Sequence, residues 1–268
     1  MLKAVLLDLG GVVYVGRDPL PGAIDAIDKL RAHGFALRFL TNTTRSSRRM
    51  LLDKLRFMGL AINEDELFVP SSAVRRHLTA HGRHAHFLIH PDLREDFDGL
   101  PEGKPDTVVI GDAGEGFSYG ALNQAFRILN TGAEFLALAK NRSFRDADNE
   151  LSLDAGAFVT ALEYAAGCEA TVFGKPSEAF FSAALDSVGC GASEAIMIGD
   201  DVESDVGGAM TAGIDGILVR TGKYKHGDEN KISPPPTFVA ENLAAAATYI
   251  LSRASAPEQG QAAIRLRG

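Results

Sequence analysis

The stretch AVLLDLGGVV, residues 4–13, decides the fold, because four apolar residues run into Asp8 and then into a pair of glycines. A short apolar run that stops at a polar residue is typical of a buried strand. The period then changes, since apolar residues recur every three or four positions between Pro21 and Gly34. That spacing predicts a helix. The run Ala36–Leu40 follows as the next predicted strand, which gives a strand–helix–strand unit at the start of the chain.

The same alternation returns late in the chain. Strand-like runs lie at Thr171–Phe173, Ala195–Ile198 and Gly216–Val219. Helical stretches separate the strands, including one that Ser46 or Ser47 can cap and a last one near residues 241–253. This rhythm predicts an α/β fold with a doubly wound, Rossmann-like parallel sheet. Residues 254–268 lack periodicity and are predicted to form a loose tail.

The middle of the chain has strands of its own, predicted at Ala85–Ile89, Thr107–Ile110 and Glu134–Ala139. Helical stretches near Val74–Ala80 and Asp154–Ala166 flank them. About 90 residues are enough for a small α/β domain. We therefore predict a catalytic core from residues 1–80 and 172–268, with an inserted α/β cap at residues 81–171.

Composition excludes several classes of protein. The net charge is −8, which argues against nucleic acid or an anionic membrane as the partner. No apolar run approaches the length of about 18 residues that a membrane span needs. Two cysteines are too few for a disulfide framework, and the apolar start is shorter than a signal-peptide core. These features predict a cytoplasmic protein.

Polar residues directly follow four of the predicted strands, where ligands of an open parallel sheet bind. They are Asp8, Thr41 with Asn42, Lys175, and Asp200 with Asp201. This set offers carboxylates for a divalent cation, a nucleophile, a hydroxyl donor and an ammonium group, which together fit a phosphoryl group. Each residue alone could equally be a turn or helix-cap residue.

The acidic segment after the strand at Ala195–Ile198 carries more charge than a helix cap needs. Asp200, Asp201 and Asp205 fall within six residues, with Glu203 between them. A helix N-terminus favours one or two acidic groups. A bound cation would relieve the mutual repulsion of the remainder, so the segment predicts a metal site.

Four segments in chain order resemble the motifs of one family: DLGGVV at residues 8–13, Thr41-Asn42, Gly174-Lys175-Pro176, and Gly199-Asp200-Asp201 through Asp205. These resemble the four motifs of the haloacid dehalogenase superfamily of phosphatases. The cap between the second and third motifs looks like subclass IIA. The segment TGKYK at 221–225, followed by three prolines at 234–236, resembles one branch whose substrates include P–N and P–O–P bonds.

The resemblance implies roles for these residues. Asp8 would form an aspartyl-phosphate, Thr41 and Asn42 would donate to phosphate oxygens, and Lys175 would neutralise charge. The implied sets are catalytic Asp8, Lys175 and Asp205; substrate-binding Asp8, Thr41, Asn42 and Lys175; and a Mg²⁺ site of Asp8, the Gly10 carbonyl, Asp200 and Asp201. The implied substrate is a small phosphorylated metabolite or phospho-amino acid, and the implied assembly is a homodimer through the cap.

The sequence departs from the family pattern at Gly10. Most members carry a second aspartate there, which protonates the leaving group and activates water. General acid–base catalysis typically contributes ~10²–10⁴ in rate. Two functions therefore stay open: a Mg²⁺-dependent phosphatase acting on a phosphomonoester, phosphoramidate or pyrophosphate, or a phosphate-binding protein with weak or no turnover. Asn141, Asp146 and Asp148 on a predicted cap loop are candidates to shape the pocket, and the two acids could supply the proton.

Two other segments suggest different chemistry. Five of the seven histidines lie between His77 and His90, which raises the possibility of a zinc site, although no cysteine is near. A polar surface or a dimer contact explains them equally. The glycine-rich segment 111–116 follows a predicted strand and raises a nucleotide- or dinucleotide-binding alternative without hydrolysis. Its spacing departs from G-x-G-x-x-G, because the sixth position counted from Gly114 is Tyr119.

Overall fold

The structure is a computed structural model that describes residues 1–145 and 150–255. Its strands are β1 (Ala4–Asp8), β2 (Tyr14–Val15), β3 (Asp18–Pro19), β4 (Ala36–Leu40), β5 (Leu67–Phe68), β6 (Ala85–Leu88), β7 (Thr107–Ile110), β8 (Glu134–Ala137), β9 (Ser143–Arg145), β10 (Leu151–Leu153), β11 (Thr171–Val172), β12 (Ala195–Gly199), β13 (Asp215–Val219) and β14 (Phe238–Ala240). Its α-helices are α1 (Ala23–Ala32), α2 (Arg48–Phe57), α3 (Pro70–His81), α4 (Tyr119–Leu129), α5 (Ala155–Ala166), α6 (Glu178–Asp186), α7 (Gly208–Thr211) and α8 (Leu243–Ser255).

The larger sheet has the order β14-β13-β12-β1-β4-β5, and its neighbouring strands are parallel. β1 lies inside it, with Ala4 opposite Ala195 on one side and Ala36 on the other. A strand buried on both faces needs apolar residues at successive positions, which is what the opening stretch supplies. The predicted doubly wound, Rossmann-like sheet is confirmed.

Helices cover both faces of this sheet. Val5 and Leu7 point to the face covered by α1, α2 and α8, with Ile27, Leu55 and Ile250 in the same cluster. Leu6 points to the opposite face, where it packs in one cluster with Phe181 of α6. Alternate residues of a strand face opposite sides of the sheet, so one short segment contributes to two layers of core.

The second sheet has the order β11-β8-β7-β6 and is also parallel. Helices α4 and α5 pack on one face through Leu129 and Val159, while α3 packs on the other face through Val74 and Leu78. We expected Thr171–Phe173 to be a strand of the core. Instead β11 pairs with β8, because two residues are too few for a pattern to identify their sheet. From this packing we propose that the inserted unit spans about residues 70–173, wider than the predicted cap at 81–171.

Two hairpins and the end of the chain differ from expectation. β2 pairs with β3, and β9 with β10, in antiparallel ladders too short to give a periodic signal. Helix α8 continues through Ser255, so the first two residues of the predicted tail are helical, and residues 256–268 lie outside the described part. No helix within the described ranges is both long and apolar enough to span a bilayer.

Candidate active site

The carboxyl ends of three adjacent strands bring the predicted residues together. Asp8 ends β1, Thr41 follows β4, and Asp200 follows β12, so parallel pairing places all three at one edge of the sheet. Lys175 and Asp205 join them, and each of the five residues is at most 7% exposed. All five line one cavity of about 280 Å³, which also borders the smaller sheet.

Lys175 lies at the centre of this cluster. Its Nζ lies 2.5 Å from Asp8 Oδ1 and 2.7 Å from Asp205 Oδ1, and it donates to the Leu40 carbonyl at 3.2 Å. An ammonium group has three hydrogens, and these contacts use all of them. Burial alone would lower the pKa of Lys175, but the carboxylates of Asp205 and Asp8 outweigh it and raise the pKa. The lysine therefore stays charged.

Buried acids crowd around this lysine. Carboxylate oxygens of Asp8, Asp200 and Asp205 lie within 4.8 Å of one another. Burial raises the pKa of Asp200 well above its ordinary range, with the charges of Asp8 and Asp205 adding to the effect. Burial also raises the pKa of Asp205 to about 6, against the opposing influence of Lys175. Ionised acids so close in a buried site are stable only with further positive charge.

The charge that the site needs follows from its surroundings. Besides Lys175, a second ammonium group lies against these acids, that of Lys223, whose Nζ is 3.8 Å from Asp201. Among the described residues, the four carboxylates of Asp8, Asp200, Asp201 and Asp205 thus have two ammonium groups within ion-pair distance, those of Lys175 and Lys223. A divalent cation would restore neutrality, and an all-oxygen donor set suits a hard ion such as Mg²⁺.

Two glycines make room for the Asp200 carboxylate. Gly11 and Gly222 have φ values of +87° and +61°, where a side chain is strained. A Cβ at Gly11 would lie 2.1 Å from Asp200 Oδ2, and one at Gly222 would lie 1.9 Å from it. The Lys223 N–H donates to the same oxygen at 2.7 Å. The carboxylate therefore fits only between two loops that carry no side chain at this point.

Asn42 contacts the backbone of Lys175. Its Oδ1 accepts from the Lys175 N–H at 2.8 Å, and its Nδ2 donates to the Lys175 carbonyl at 2.8 Å and to Asn141 Oδ1 at 3.0 Å. These three bonds occupy both amide hydrogens and the amide oxygen. In this structure the Asn42 side chain therefore bonds to protein groups, and its donation to a phosphate oxygen stays a prediction. Thr41 Oγ1 donates to Thr43 Oγ1 at 3.0 Å within the same loop.

The acids after β12 divide into two roles. Asp201 Oδ1 accepts from the N–H groups of Glu203 and Ser204 at 3.1 and 3.0 Å, so it caps the π-helical turn Val202–Gly207. Asp205 Oδ2 accepts from the Asp201 N–H at 3.2 Å, while its Oδ1 contacts Lys175. Asp205, and not the expected Asp201, belongs to the close group of carboxylates.

At Gly10 the structure leaves space. A Cβ built on Gly10 would meet nothing within 4 Å, and its φ lies outside the left-handed range. The chain then folds back, so that Gly10 forms a bridge with Tyr14 and the Gly11 N–H donates to the Tyr14 carbonyl at 2.8 Å. Burial raises the pKa of the Tyr14 phenol, with the Asp8 charge adding to the rise. Tyr14 lines the cavity, although no sequence pattern pointed to it.

The smaller sheet closes the cavity from the opposite side with the residues after its strands. Asp112 follows β7, and its Oδ2 lies 2.5 Å from Arg45 Nε, while its N–H donates to Thr44 Oγ1 at 2.9 Å. The Arg45 guanidinium also stacks on Phe144 of β9, 4.3 Å from the ring centroid. Sequence reasoning selected Asn141 here and missed the others. Asp146 and Asp148, the other predicted cap acids, lie outside the described residues.

The histidine-rich and glycine-rich segments, which suggested other chemistry, make contacts within the smaller sheet and with the core. His77 Nε2 lies 3.0 Å from Glu134 Oε1, and the rings of His77 and His81 are 4.4 Å apart. Across residues 1–145 and 150–255, the histidine segment contributes to no group of three metal-type ligands. The glycine-rich segment forms a short 3₁₀ turn, Gly114–Gly116, beside the ion pair of Asp112 with Arg45.

Comparison with known proteins gives a consistent result. The chain matches the haloacid dehalogenase-like hydrolase family over residues 5–100 and the HAD-hydrolase-like family over residues 172–246. Haloacid dehalogenase-like hydrolase domain-containing protein 2 of Homo sapiens is 45% identical over 250 residues, covering 93% of this chain and 96% of that protein. Phospholysine phosphohistidine inorganic pyrophosphate phosphatase of Xenopus laevis is 39% identical over 258 residues, covering 94% and 95%.

Among solved structures, the p-nitrophenyl phosphatase of Archaeoglobus fulgidus has a TM-score of 0.85 at 26% identity, covering 92% of this chain and 99% of that one. The family matches include the segments that carry Asp8 and Lys175, and the first of them extends over β6 of the smaller sheet. The regions of this chain that align with the two relatives make up 93% and 94% of it and so extend over both sheets. The expected resemblance is therefore confirmed. The chain belongs to the haloacid dehalogenase-like hydrolase family and is an enzyme of the hydrolase class.

Proposed function

We propose that this enzyme is a Mg²⁺-dependent phosphatase that hydrolyses a small phosphorylated substrate through an aspartyl-phosphate on Asp8. The observation that carries the proposal is the buried contact of one ammonium group, that of Lys175, with both Asp8 and Asp205 beside Asp200. This arrangement combines a nucleophile, a fixed cation and an acidic pocket. The similarity to a phospholysine phosphohistidine inorganic pyrophosphate phosphatase and to a p-nitrophenyl phosphatase supports the same reaction class.

The metal would be held by Asp8, Asp200 and the Gly10 carbonyl, all at one edge of the sheet. Both oxygens of Asp205 already have protein partners, Lys175 and the Asp201 N–H, so its role is to hold the lysine. Asp201 likewise caps a turn. When bound, Mg²⁺ would offset the charge of the acids and of the phosphoryl oxygens.

The side chains of the protein then have defined tasks. Lys175 holds Oδ1 of Asp8, which leaves Oδ2 to attack phosphorus while the bond from phosphorus to the leaving group breaks. The leaving group departs with the electron pair of that bond and takes any proton it needs from solvent. Water next attacks phosphorus and gives up a proton to solvent, while the bond from phosphorus to the Asp8 oxygen breaks. Inorganic phosphate then leaves, and the Asp8 carboxylate is restored. Lys175 offsets negative charge in both steps.

Asn42 supports this chemistry as a positioning residue. Its amide holds both backbone polar groups of Lys175, so it fixes where the ammonium group lies. We expect Asn42→Ala to lower kcat about tenfold or more while leaving the inhibition constant of inorganic phosphate nearly unchanged. Weaker inhibition by phosphate with an unchanged kcat would contradict this role and restore the role of phosphate donor.

The space at Gly10 bears on substrate choice. Without a carboxylate there, leaving groups that need no proton from the enzyme are favoured, such as a phosphate, a phenol or a phosphoramidate nitrogen that solvent has already protonated. We therefore expect the fastest turnover on phosphoramidates, pyrophosphate and activated phosphomonoesters, and slower turnover on alkyl phosphomonoesters. A screen of phosphate release from these classes and from alkyl phosphates, with Mg²⁺ and with a chelator, tests the proposal. Binding without turnover on every substrate would favour the phosphate-binding alternative.

The assembly and location are part of the proposal. Tyr119 of α4 and Tyr164 of α5 are 84% and 92% exposed on helices of the smaller sheet, which suits a homodimer through the cap. Light scattering at micromolar concentration should show twice the mass of 28.5 kDa. A single species at the chain mass would contradict it. The cytoplasmic location stays a prediction.

A further inference from the structure

One wall of the cavity carries a cation that the proposed chemistry does not use. Lys54 lies on α2, half-buried, and its Nζ is 4.2 Å from the centroid of the Tyr14 ring. Lys54 and Tyr14 both line the cavity that contains Asp8. Lys54 therefore borders the same cavity as Asp8, on the wall formed by the core.

The charges of the other cavity cations are offset by acids. Lys175 contacts Asp8 and Asp205, and Arg45 contacts Asp112. Lys223 lies near Asp201. Over the described ranges, no carboxylate lies within ion-pair distance of Lys54. The acid next to it in sequence, Asp53, pairs on the exposed face of α2 with Arg49 and Arg56, each at 3.4 Å.

The surroundings of Lys54 disfavour an isolated charge. Burial lowers its pKa, and the nearby positive charge of Arg17 lowers it further. The aromatic face of Tyr14 offsets part of this cost through a cation–π contact. A negatively charged group in the cavity would form a charge-assisted hydrogen bond with the ammonium group and offset more of it.

We propose that Lys54 binds a second negatively charged group on the substrate, carried by the leaving group, while the phosphoryl group lies at Asp8. This inference rests on the proposed phosphatase function and narrows its substrate class. The ligand is a phosphorylated hydroxy acid or a diphosphate, since a carboxylate and a phosphate present the same anionic oxygens to an ammonium group. An uncharged leaving group would gain nothing from Lys54.

Selectivity between matched substrates tests this assignment. 3-Phosphoglycerate and glycerol 3-phosphate differ in having a carboxylate or a hydroxymethyl group, and pyrophosphate supplies a phosphate instead. We expect Lys54→Met to lower the kcat/KM of at least one anionic substrate about tenfold relative to glycerol 3-phosphate. Lys54→Arg should retain most of the preference, since it keeps the charge. Arg56→Met is the matched control, because Arg56 lies on the exposed face of the same helix.

The outcomes separate the two ligand sources and the two hypotheses. A fall confined to 3-phosphoglycerate assigns a carboxylate, and a fall confined to pyrophosphate assigns a phosphate. Unchanged ratios in Lys54→Met would overturn the inference and leave the phosphatase function standing.

Absence of all turnover in the wild-type protein would instead defeat the proposed function. Calorimetric binding of the same three compounds to Asp8→Asn with Mg²⁺ then decides the role of Lys54. Adding Lys54→Met should remove the preference for the anionic compounds, and an equal preference with or without Lys54 would overturn the inference.

Discussion

Two parallel sheets direct the carboxyl ends of their strands at one cavity, but they equip those ends differently. The core edge gathers charged groups that are buried together, among them Asp8 and Asp200. Lys175 follows β11 of the smaller sheet, and its side chain reaches Asp8. The edge of the smaller sheet offers Asp112 and Asn141, and each is bonded to the core. The difference teaches that the proposed nucleophile and metal ligands lie at the edge of one sheet, whereas the other sheet contributes Lys175 and the contacts that close the cavity.

A single core segment receives these contacts. Residues 41–45 follow β4, and within them Asn42 contacts Asn141 while Thr44 and Arg45 contact Asp112. The same segment holds the Lys175 backbone through Asn42. A substitution in the core edge should therefore affect the chemical step, and one in the cap edge should affect closure over the substrate. The following substitutions test that division.

The largest effect is expected at the nucleophile. Asp8→Asn is nearly isosteric and removes both the attacking oxygen anion and one charge at the metal site. We expect kcat to fall ~10³-fold or more, because no other group takes over the covalent step. Phosphate release and circular dichroism measure activity and fold together. A folded variant that keeps a tenth of the activity would exclude the covalent mechanism.

Lys175→Met should be the next most damaging change among the buried charged residues. It leaves Asp8 and Asp205 buried without their shared cation. We expect kcat to fall ~10²-fold and the free energy of unfolding to fall by about 3 kcal/mol, as for other broken buried ion pairs. Urea unfolding without added Mg²⁺ measures the second quantity. Lys3→Met, which breaks an exposed pair with Glu194, is the control and should leave the urea midpoint unchanged.

Gly10→Asp should add the carboxylate that most family members carry at this position of the core edge. A Cβ fits at Gly10, so the strand need not move. If leaving-group protonation limits turnover, the rate on alkyl phosphomonoesters should rise about tenfold, which is ~1.4 kcal/mol of barrier. Aryl phosphates and pyrophosphate should gain least. Equal effects on both substrate classes would show that the lack of a carboxylate at Gly10 does not limit protonation of the leaving group.

The smallest effect is expected in the cap edge. Asn141→Ala removes one partner of Asn42 but leaves both bonds from Asn42 to the Lys175 backbone. We expect kcat/KM to fall only about fivefold, mainly through KM, as for the loss of one hydrogen bond of about 1 kcal/mol. Asn130→Ala on the exposed end of α4 is the control. A fall in kcat larger than the rise in KM would show that Asn141 contributes to the chemical step.

The sequence predicted the parallel core sheet and which strand ends carry polar residues, because period and apolar length are local signals. It could not predict that β11 joins the smaller sheet or that α3 packs on it, since both depend on distant partners. Nor could it show what Asn42 bonds to. Lys54 was missed for a related reason: a lysine on an amphipathic helix gives no sign that its side chain turns toward a cavity.

The pairing of β1 with β12 also has a consequence for biosynthesis. Asp8 lies near the start of the chain. Asp200 and Gly222 follow it by about 200 residues, so they emerge from the ribosome much later. Until then β1 lacks one of its two neighbours, and Asp8 lacks the lysine that holds it. Contacts so distant in sequence slow folding and leave strand edges open for longer. The nascent protein should therefore acquire metal and activity together, late, and only after the inserted unit has been made.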